Sequence, residues 1–374
     1  MRIGMLVPSI YMSQKRFKDM IFAPRDLALA LADDLVARGH KVFLFTTHDT
    51  KSRATIVGGE PQLAYEKLKQ EKIKNAPEPK KTIATFYTTK REFERDLTLK
   101  AYHMAHKGKL DIIHSYHDDL AHYFDDLSPI PTIYTMHDPL PQKGSIEHWR
   151  LERFTHHNFI SISSNQRQTS KLNWVATIHH GIETNNIPFQ EKPKDYLAFI
   201  GRFVKAKGIE SAVRVSKKTK HKLKVAGRSF NEKDSYYTKT LAPLFKHNSV
   251  KEMGMLNTKQ KYTFLKNAKT MLFPIQWEEP FGLVMVEAMA CGTPVVAYNH
   301  GSVPEVIEDG KTGFVVTNEK SMVKAVKKIY DMPRQEYLAM RHACRKHVER
   351  HFSVERMAQD HETLYHNLIK RNKK

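Results

Sequence analysis

A chain of 374 residues has the length of two domains and apolar content for two ordinary cores. Its two cysteines, Cys291 and Cys344, exclude a readable disulfide framework and point to a reducing compartment, and no run approaches the ~18 to 20 apolar residues that a membrane span needs. The formal net charge of +21 therefore falls on a soluble surface, and the expected location is the cytoplasm.

The N-terminal part alternates strands and helices in the order of a parallel sheet. The apolar run over 1–10 is too short for a signal peptide, and residues 2–7 read as the first buried strand. An irregular basic segment covers 11–20, a helix over 26–38 ends at Gly39, and 41–46 is a strand. Helical pattern resumes near 63–74, breaks at the Ala-Pro-Glu-Pro-Lys-Lys of 76–81, and returns over 91–106. Residues 111–114, 132–136 and 159–162 read as further buried strands that end near polar groups, where open sheets hold ligands.

Residues 186–194, with Pro188 and Pro193, carry no apolar periodicity and form the linker. A second alternating set follows, with strands at 196–200, 224–226, 250–253, 271–275, 295–298 and 313–316. The closing segment 354–371 is helical and amphipathic.

The most informative stretch is Trp277-Glu-Glu-Pro-Phe-Gly-Leu-Val-Met-Val-Glu-Ala-Met-Ala-Cys-Gly-Thr-Pro-Val-Val-Ala297. It reads as strand, loop, helix and strand, the helix covering 282–290 with Pro280 in a tolerant first turn. Backbone N–H groups around Phe281, Gly282 and Leu283 crown the helix start, where the peptide dipoles favour an anion such as a phosphate. Glu279 precedes the helix and Glu287 lies inside it, so two carboxylates flank one anion site. A ligand with hydroxyl-rich groups on either side of a phosphate, as in a nucleotide sugar, has that layout.

Within EPFGLVMVEAMACGTPVVA (279–297), followed by HGSVPEVIEDGKTGFVV (300–316), this glutamate pair resembles the signature of retaining glycosyltransferases of the two-domain GT-B fold, in particular glycosyltransferase family 4. The resemblance implies an α/β fold in which two Rossmann-like parallel-sheet domains face a central cleft. It also implies a metal-independent transfer of a hexosyl unit from a nucleoside diphosphate sugar, with no cofactor, to an acceptor that the sequence does not identify. The expected divisions are 1–187 for the acceptor-side domain, 188–353 for the nucleotide-sugar domain, and a C-terminal helix over 354–374 that packs back on the first domain. UDP is the preferred nucleotide because 253–316 is most similar to UDP-glucose-type members.

Further residues take roles from the same resemblance. Gly201-Arg202 to Lys207-Gly208 resembles the family's GR…KG pattern, so Arg202 and Lys207 are expected on the diphosphate, where a planar fork and a point charge complement each other. Glu287 is expected on the ribose and Glu279 on the sugar hydroxyls. Gly227 and Met255 end neighbouring strands, where family members line the base and ribose. His137 resembles the family histidine that faces the donor sugar.

Asp138 stands open as a covalent nucleophile, with front-face attack guided by the leaving phosphate favoured. His179 and His180 resemble a substrate-side turn, and Ser163 to Asn165 a polar wall. His103 and His106 have no ordered carboxylate or cysteine companion in the sequence, so no metal is expected.

One departure concerns the first-domain loop. Where many members carry paired glycines, this chain has Ala23-Pro24; Pro24 has no N–H to offer a phosphate, and Arg25 supplies charge there instead or the loop shapes the acceptor pocket. An epimerase or phosphorylase of the same architecture stays open, as does a non-enzymatic protein that binds RNA or an acidic bilayer. The basic surplus fits a solvated surface, peripheral contact with an anionic membrane or, least favoured, nucleic acid.

Overall fold

The computed structural model describes residues 1–17, 22–59, 61, 79–116, 120–168, 170–229 and 235–372. The helical pattern expected near 63–74 and residues 18–21 of the basic loop lie outside the described residues. The chain separates into two compact units, the first built from Met1–Ile162, Thr169–Ile178 and Met357–Lys374, the second from Ser163–Gln168 and His179–Arg356.

Unit 1 carries β1 (Arg2–Leu6), β2 (Lys41–Thr47), β3 (Thr55–Gly59), β4 (Ile112–Ser115), β5 (Thr132–Met136), β6 (Asn158–Ser161) and β7 (Trp174–Thr177). They form one parallel sheet in the order β3-β2-β1-β4-β5-β6-β7. Apolar runs such as Ile112-Ile113 are buried on both faces, as a parallel sheet covered by helices requires. β3 and β7 are the edge strands, only half-buried along most of their length, so neither carries the apolar run by which the inner strands announce themselves. The helices are α1 (Ala23–Ala37), α2 (Pro79–His106), α3 (His122–Asp125) and α4 (Ile146–Arg153). The core gathers Leu6, Phe45, Ile113, Tyr134 and Phe159 from the sheet against Ala101 and Tyr102 of α2.

Unit 2 repeats the plan with β8 (Leu197–Ile200), β9 (Leu223–Ala226), β10 (Val250–Gly254), β11 (Thr270–Phe273), β12 (Val295–Tyr298) and β13 (Gly313–Val316), parallel in the order β10-β9-β8-β11-β12-β13. β11 stops at Phe273 rather than at residue 275 because Pro274 cannot donate to the ladder. Helices α5 (Ile209–Thr219), α6 (Ala242–Phe245), α7 (Thr258–Lys266), α8 (Leu283–Ala290), α9 (Val303–Val306), α10 (Glu319–Asp331) and α11 (Arg334–His351) surround the sheet.

The last helix, α12 (Val354–Asn372), passes from unit 2 into unit 1. There Tyr365 Oη lies 2.6 Å from His114 Nδ1 and Glu362 Oε1 lies 2.9 Å from His40 Nε2, so the expected packing onto the first domain is found. Both sheets have the doubly wound order, and each reverses direction beside its first strand, between β1 and β4 and between β8 and β11. Ligands of such sheets bind where the carboxyl ends of those two strands part. Among the described residues no helix is long and apolar enough to cross a membrane.

Candidate functional site

In unit 2 the loops that leave β8 and β11 meet at this reversal. β8 runs into Gly201-Arg202 and a single 3-10 turn, Lys205–Lys207, closed by Gly208 at φ 70. A Cβ on Gly208 would stand 1.9 Å from the Pro274 carbonyl oxygen of the β11 loop, and the Gln276 amide donates to Ala206 O at 2.8 Å. Only glycine permits so close an approach at that backbone angle. The consequence is an ion pair between residues far apart in sequence: Lys207 Nζ donates to Glu279 Oε2 at 2.5 Å, and Trp277 Nε1 donates to the same oxygen at 2.9 Å. Lys207 also lies over the Trp277 ring, 5.2 Å from its centroid.

The helix start is built as expected but one residue later. α8 begins at Leu283, and Gly282 caps it in the left-handed conformation at φ 78 with no side-chain cap. Pro280 therefore lies in the loop ahead of the helix and not in its first turn: the left-handed turn at Gly282 separates the two. Gly282 to Val284 are half-buried, leaving the first turn accessible, while Phe281 is buried against His180 and Phe352. The loop is held from behind by residues 300–302. Ser302 N donates to Glu279 O at 2.9 Å, Gly301 N donates to Glu278 Oε2 at 2.7 Å, and a Cβ at Gly301 would stand 2.2 Å from Glu279 O.

Glu287, about one turn into α8 at ~3.6 residues per turn, pairs with Lys261 of α7, a cation that the sequence reading did not single out. Asn257 and Gln260 close a reciprocal capping box at the start of α7, which fixes the helix carrying Lys261. Gly227 stands at the end of β9 at φ 142, its N donating to Gly254 O at 2.9 Å, and a Cβ there would meet Gly201 O at 1.9 Å. The ends of β8, β9 and β10 thus stack through glycines, with Met255 exposed beside them. Arg202 is exposed on the same loop as Lys207. Cys291, inside the motif, is inert as a nucleophile, because burial pushes its thiol up to about 12.

Ser164, Asn165 and His179 serve Glu305, which sequence reasoning missed although it stands inside the VPEV of the quoted motif. Its carboxylate accepts from Ser164 N at 2.7 Å and Asn165 N at 2.9 Å, and lies 3.1 Å from His179 Nε2. Burial alone would raise the pKa of Glu305, but the His179 side chain and the two amides outweigh it and hold the carboxyl below its usual value. His180 is buried edge-on to Phe281.

In unit 1, His137 follows β5 and Nε2 lies 2.5 Å from the Tyr116 carbonyl at the end of β4, beside the reversal between β1 and β4. It lines a cavity of about 460 Å³ together with Ser9, Tyr11, Phe22, His122 and Asp138. Asp138 is exposed at the cavity wall. Ala23 opens α1 with Pro24 in its first turn. Arg25 is buried, its guanidinium donating to Phe17 O at 3.0 Å and Tyr11 O at 3.5 Å, so it organises the loop over 11–17.

Comparison with known proteins bears on this arrangement. Residues 27–186 match the family Glycosyltransferase Family 4, and residues 183–350 match Glycosyl transferases group 1. A capsular polysaccharide biosynthesis glycosyltransferase, CapM of Staphylococcus aureus, is 32% identical over 190 residues, 46% of each chain. An uncharacterized protein of the Klebsiella pneumoniae cps region is 30% identical over 178 residues, 47% of each. The matches span about half the length of these curated relatives. Among solved structures, sucrose-phosphate synthase from Thermosynechococcus elongatus superposes with a TM-score of 0.70 at 19% identity, covering 99% of each chain. Anabaena HepE in complex with UDP and glucose gives 0.67 at 17% identity, covering 98% of this chain and 100% of the other. At such identities the structural likeness bears on the fold alone.

Proposed function

Since the chain belongs to the family 4 glycosyltransferases, with their GT-B fold, we propose that it moves a hexosyl unit, with retention, from a nucleoside diphosphate sugar to an acceptor. UDP-sugars are the preferred donors. The observation that carries the reading is the Lys207–Glu279 pair at the β8–β11 reversal, beside the open first turn of α8. A cation and a ring of peptide N–H groups are what a departing diphosphate needs as charge develops on it, and a fixed donor at such a point is worth several kcal/mol. Arg202 adds a fork to the same phosphates, Glu279 accepts from sugar hydroxyls, and Glu287 from the ribose.

The reaction breaks the bond from the anomeric carbon to the phosphate oxygen and forms one to an acceptor oxygen, whose proton passes to the leaving phosphate. The chemistry is assigned no metal. Front-face attack is the favoured course, with Asp138 outside the covalent role. Gly227 and Met255 take the nucleoside, His137 of unit 1 is assigned to the donor sugar, and Asp138 and the loop of Ala23 and Arg25 are assigned to the acceptor. The cellular location that fits is the cytoplasm with peripheral contact to an anionic membrane, since unit 1 exposes Ile146 and Trp149 on a chain of net charge +21.

Incubation with a panel of UDP-, GDP- and ADP-sugars, scored for released nucleoside diphosphate and for thermal shift, tests the reading. Release from a UDP-sugar that falls at least tenfold in Arg202→Ala and Glu287→Ala is the expected result. No release and no shift with any donor would overturn it, and an inverted anomer in the product would overturn retention.

A further inference from the structure

The residues of the proposed transfer leave one cluster of unit 1 unused. Asp126 follows α3 directly, and His156 and His157 fill the turn between α4 and β6. Asp126 Oδ1 lies 2.9 Å from His156 Nε2 and 3.1 Å from His157 Nε2, and one donor atom from each residue falls within 4.8 Å of the others. Among the described residues this is the one group of three His, Cys, Asp or Glu side chains with that spacing. From these positions we propose that Asp126, His156 and His157 bind a single divalent d-block cation of the zinc type.

The geometry is close to what such an ion needs. Ligand bonds of ~2.0–2.1 Å in a tetrahedral site separate neighbouring donors by about 3.4 Å, so entry of the ion requires the Asp126 oxygen and each imidazole nitrogen to part by only a few tenths of an ångström. Two imidazoles and one carboxylate select zinc, cobalt or nickel over magnesium or calcium, which prefer all-oxygen sets. Asp126 and His156 are each 60% exposed, so an ion can enter and keep a water in the remaining position.

The third ligand is held from behind. His157 is 4% exposed, its ring lies 5.0 Å from Phe154 and 5.5 Å from Tyr134 in stacked geometry, and its Nδ1 is 2.9 Å from His122 Nδ1 and 3.7 Å from Asp125 Oδ2. A histidine ligand whose far nitrogen is fixed in this way presents the near one in a set direction. His122 in turn stacks on Tyr134 at 3.9 Å, and both line the unit 1 cavity. The ion therefore clamps the end of α3 to the turn before β6 and stiffens the wall of that cavity. This site stands independently of the transferase reading.

The test uses the full-length, tag-free protein stripped with a chelator. Calorimetric titration with Zn²⁺, and with Co²⁺ followed by its visible absorption, is run on the wild type, Asp126→Ala, His156→Ala and, as a control among the chain's 21 histidines, His103→Ala. One equivalent is expected to bind the wild type and His103→Ala alike, with affinity at least about tenfold weaker in Asp126→Ala and His156→Ala, and with a zinc-dependent rise in Tm confined to the first two proteins. Both altered ligands are exposed, so folding checked by circular dichroism is expected to persist. The proposal is overturned if the wild type binds no ion, or if the two ligand variants titrate as it does; the triad is then a hydrogen-bonded contact only.

Discussion

Replacing Lys207 by Met and Glu279 by Gln, singly and together, separates a structural ion pair from a functional one. The pair is 14% and 12% exposed, and its 2.5 Å contact would be worth about 7 kcal/mol between unit charges at an effective dielectric of ~20. Withdrawing both groups from water offsets most of that, which leaves a net of about 1–3 kcal/mol, the usual range for a hydrogen bond to a charged group. Each single variant is therefore expected to lose about 2 kcal/mol in urea denaturation. The double variant should lose less than the sum, with a coupling energy of about 1–3 kcal/mol, because it leaves no charge stranded.

Turnover should follow the opposite rule. If Lys207 faces the developing phosphate charge, nucleotide release falls by ~10²-fold in Lys207→Met and does not recover in the double variant. A double variant that regains both stability and turnover, or a Lys207→Met protein that releases nucleotide at the wild-type rate, would refute the reasoning.

Gly208→Ala places a Cβ against Pro274 O at a left-handed φ of 70, so about 1–2 kcal/mol of backbone strain and a displaced Lys207 are expected, read as a lower urea midpoint together with slowed nucleotide release. Arg341→Leu removes a fully buried guanidinium that donates to Gln190 O, Lys266 O and Ala268 O, and the orphaned carbonyls should lower stability by about 3 kcal/mol in the same denaturation assay. His114, buried between β4 and α12 and faced by His361, His137, Tyr116 and Tyr365, has its pKa held well below the usual value, by burial first and then by charge on His361 and His137. The ring is neutral in the fold and protonates in the unfolded chain, so its contribution is full above about pH 6.5 and is lost as pH falls below it, at up to about 1.4 kcal/mol per pH unit. Urea midpoints between about pH 7.5 and 5 should thus fall less steeply in His114→Gln than in the wild type; equal slopes would refute the assignment.

Legibility in the sequence followed how local the cause was. The five inner strands of unit 1, β1, β2, β4, β5 and β6, and the inner strands β8, β9, β11 and β12 of unit 2 were readable because a strand buried on both faces must be a short apolar run, while β10 and β13, the edges of unit 2, were read from their place in the alternating set. β3 and β7 were not, since an edge strand needs no such run. Glu279, Gly282 and Glu287 stood out because a glycine before a helix between two carboxylates is a contiguous pattern, and Lys207 because its loop carries the family's own spacing.

Trp277, Lys261 and Glu305 did not stand out. Each acts on a partner fixed by packing: Trp277 on a carboxylate that a close loop approach had already placed, Lys261 across two helices, and Glu305 on amides of residues 164 and 165. The charge of Arg25 was visible but its direction was not, and the fold turns it inward to carbonyls of its own loop.

The amino-acid order by itself determined the alternation of strand and helix, the two-domain plan and the chemistry of the 277–297 stretch, because periodicity, proline and glycine act over a few residues. Tertiary structure alone decided that Lys207 meets Glu279 across 72 positions, that Glu287 is paired with Lys261, and that Asp126 gathers His156 and His157. Those meetings depend on which strands lie side by side, and crossover connections set that adjacency without leaving any mark in the residues between.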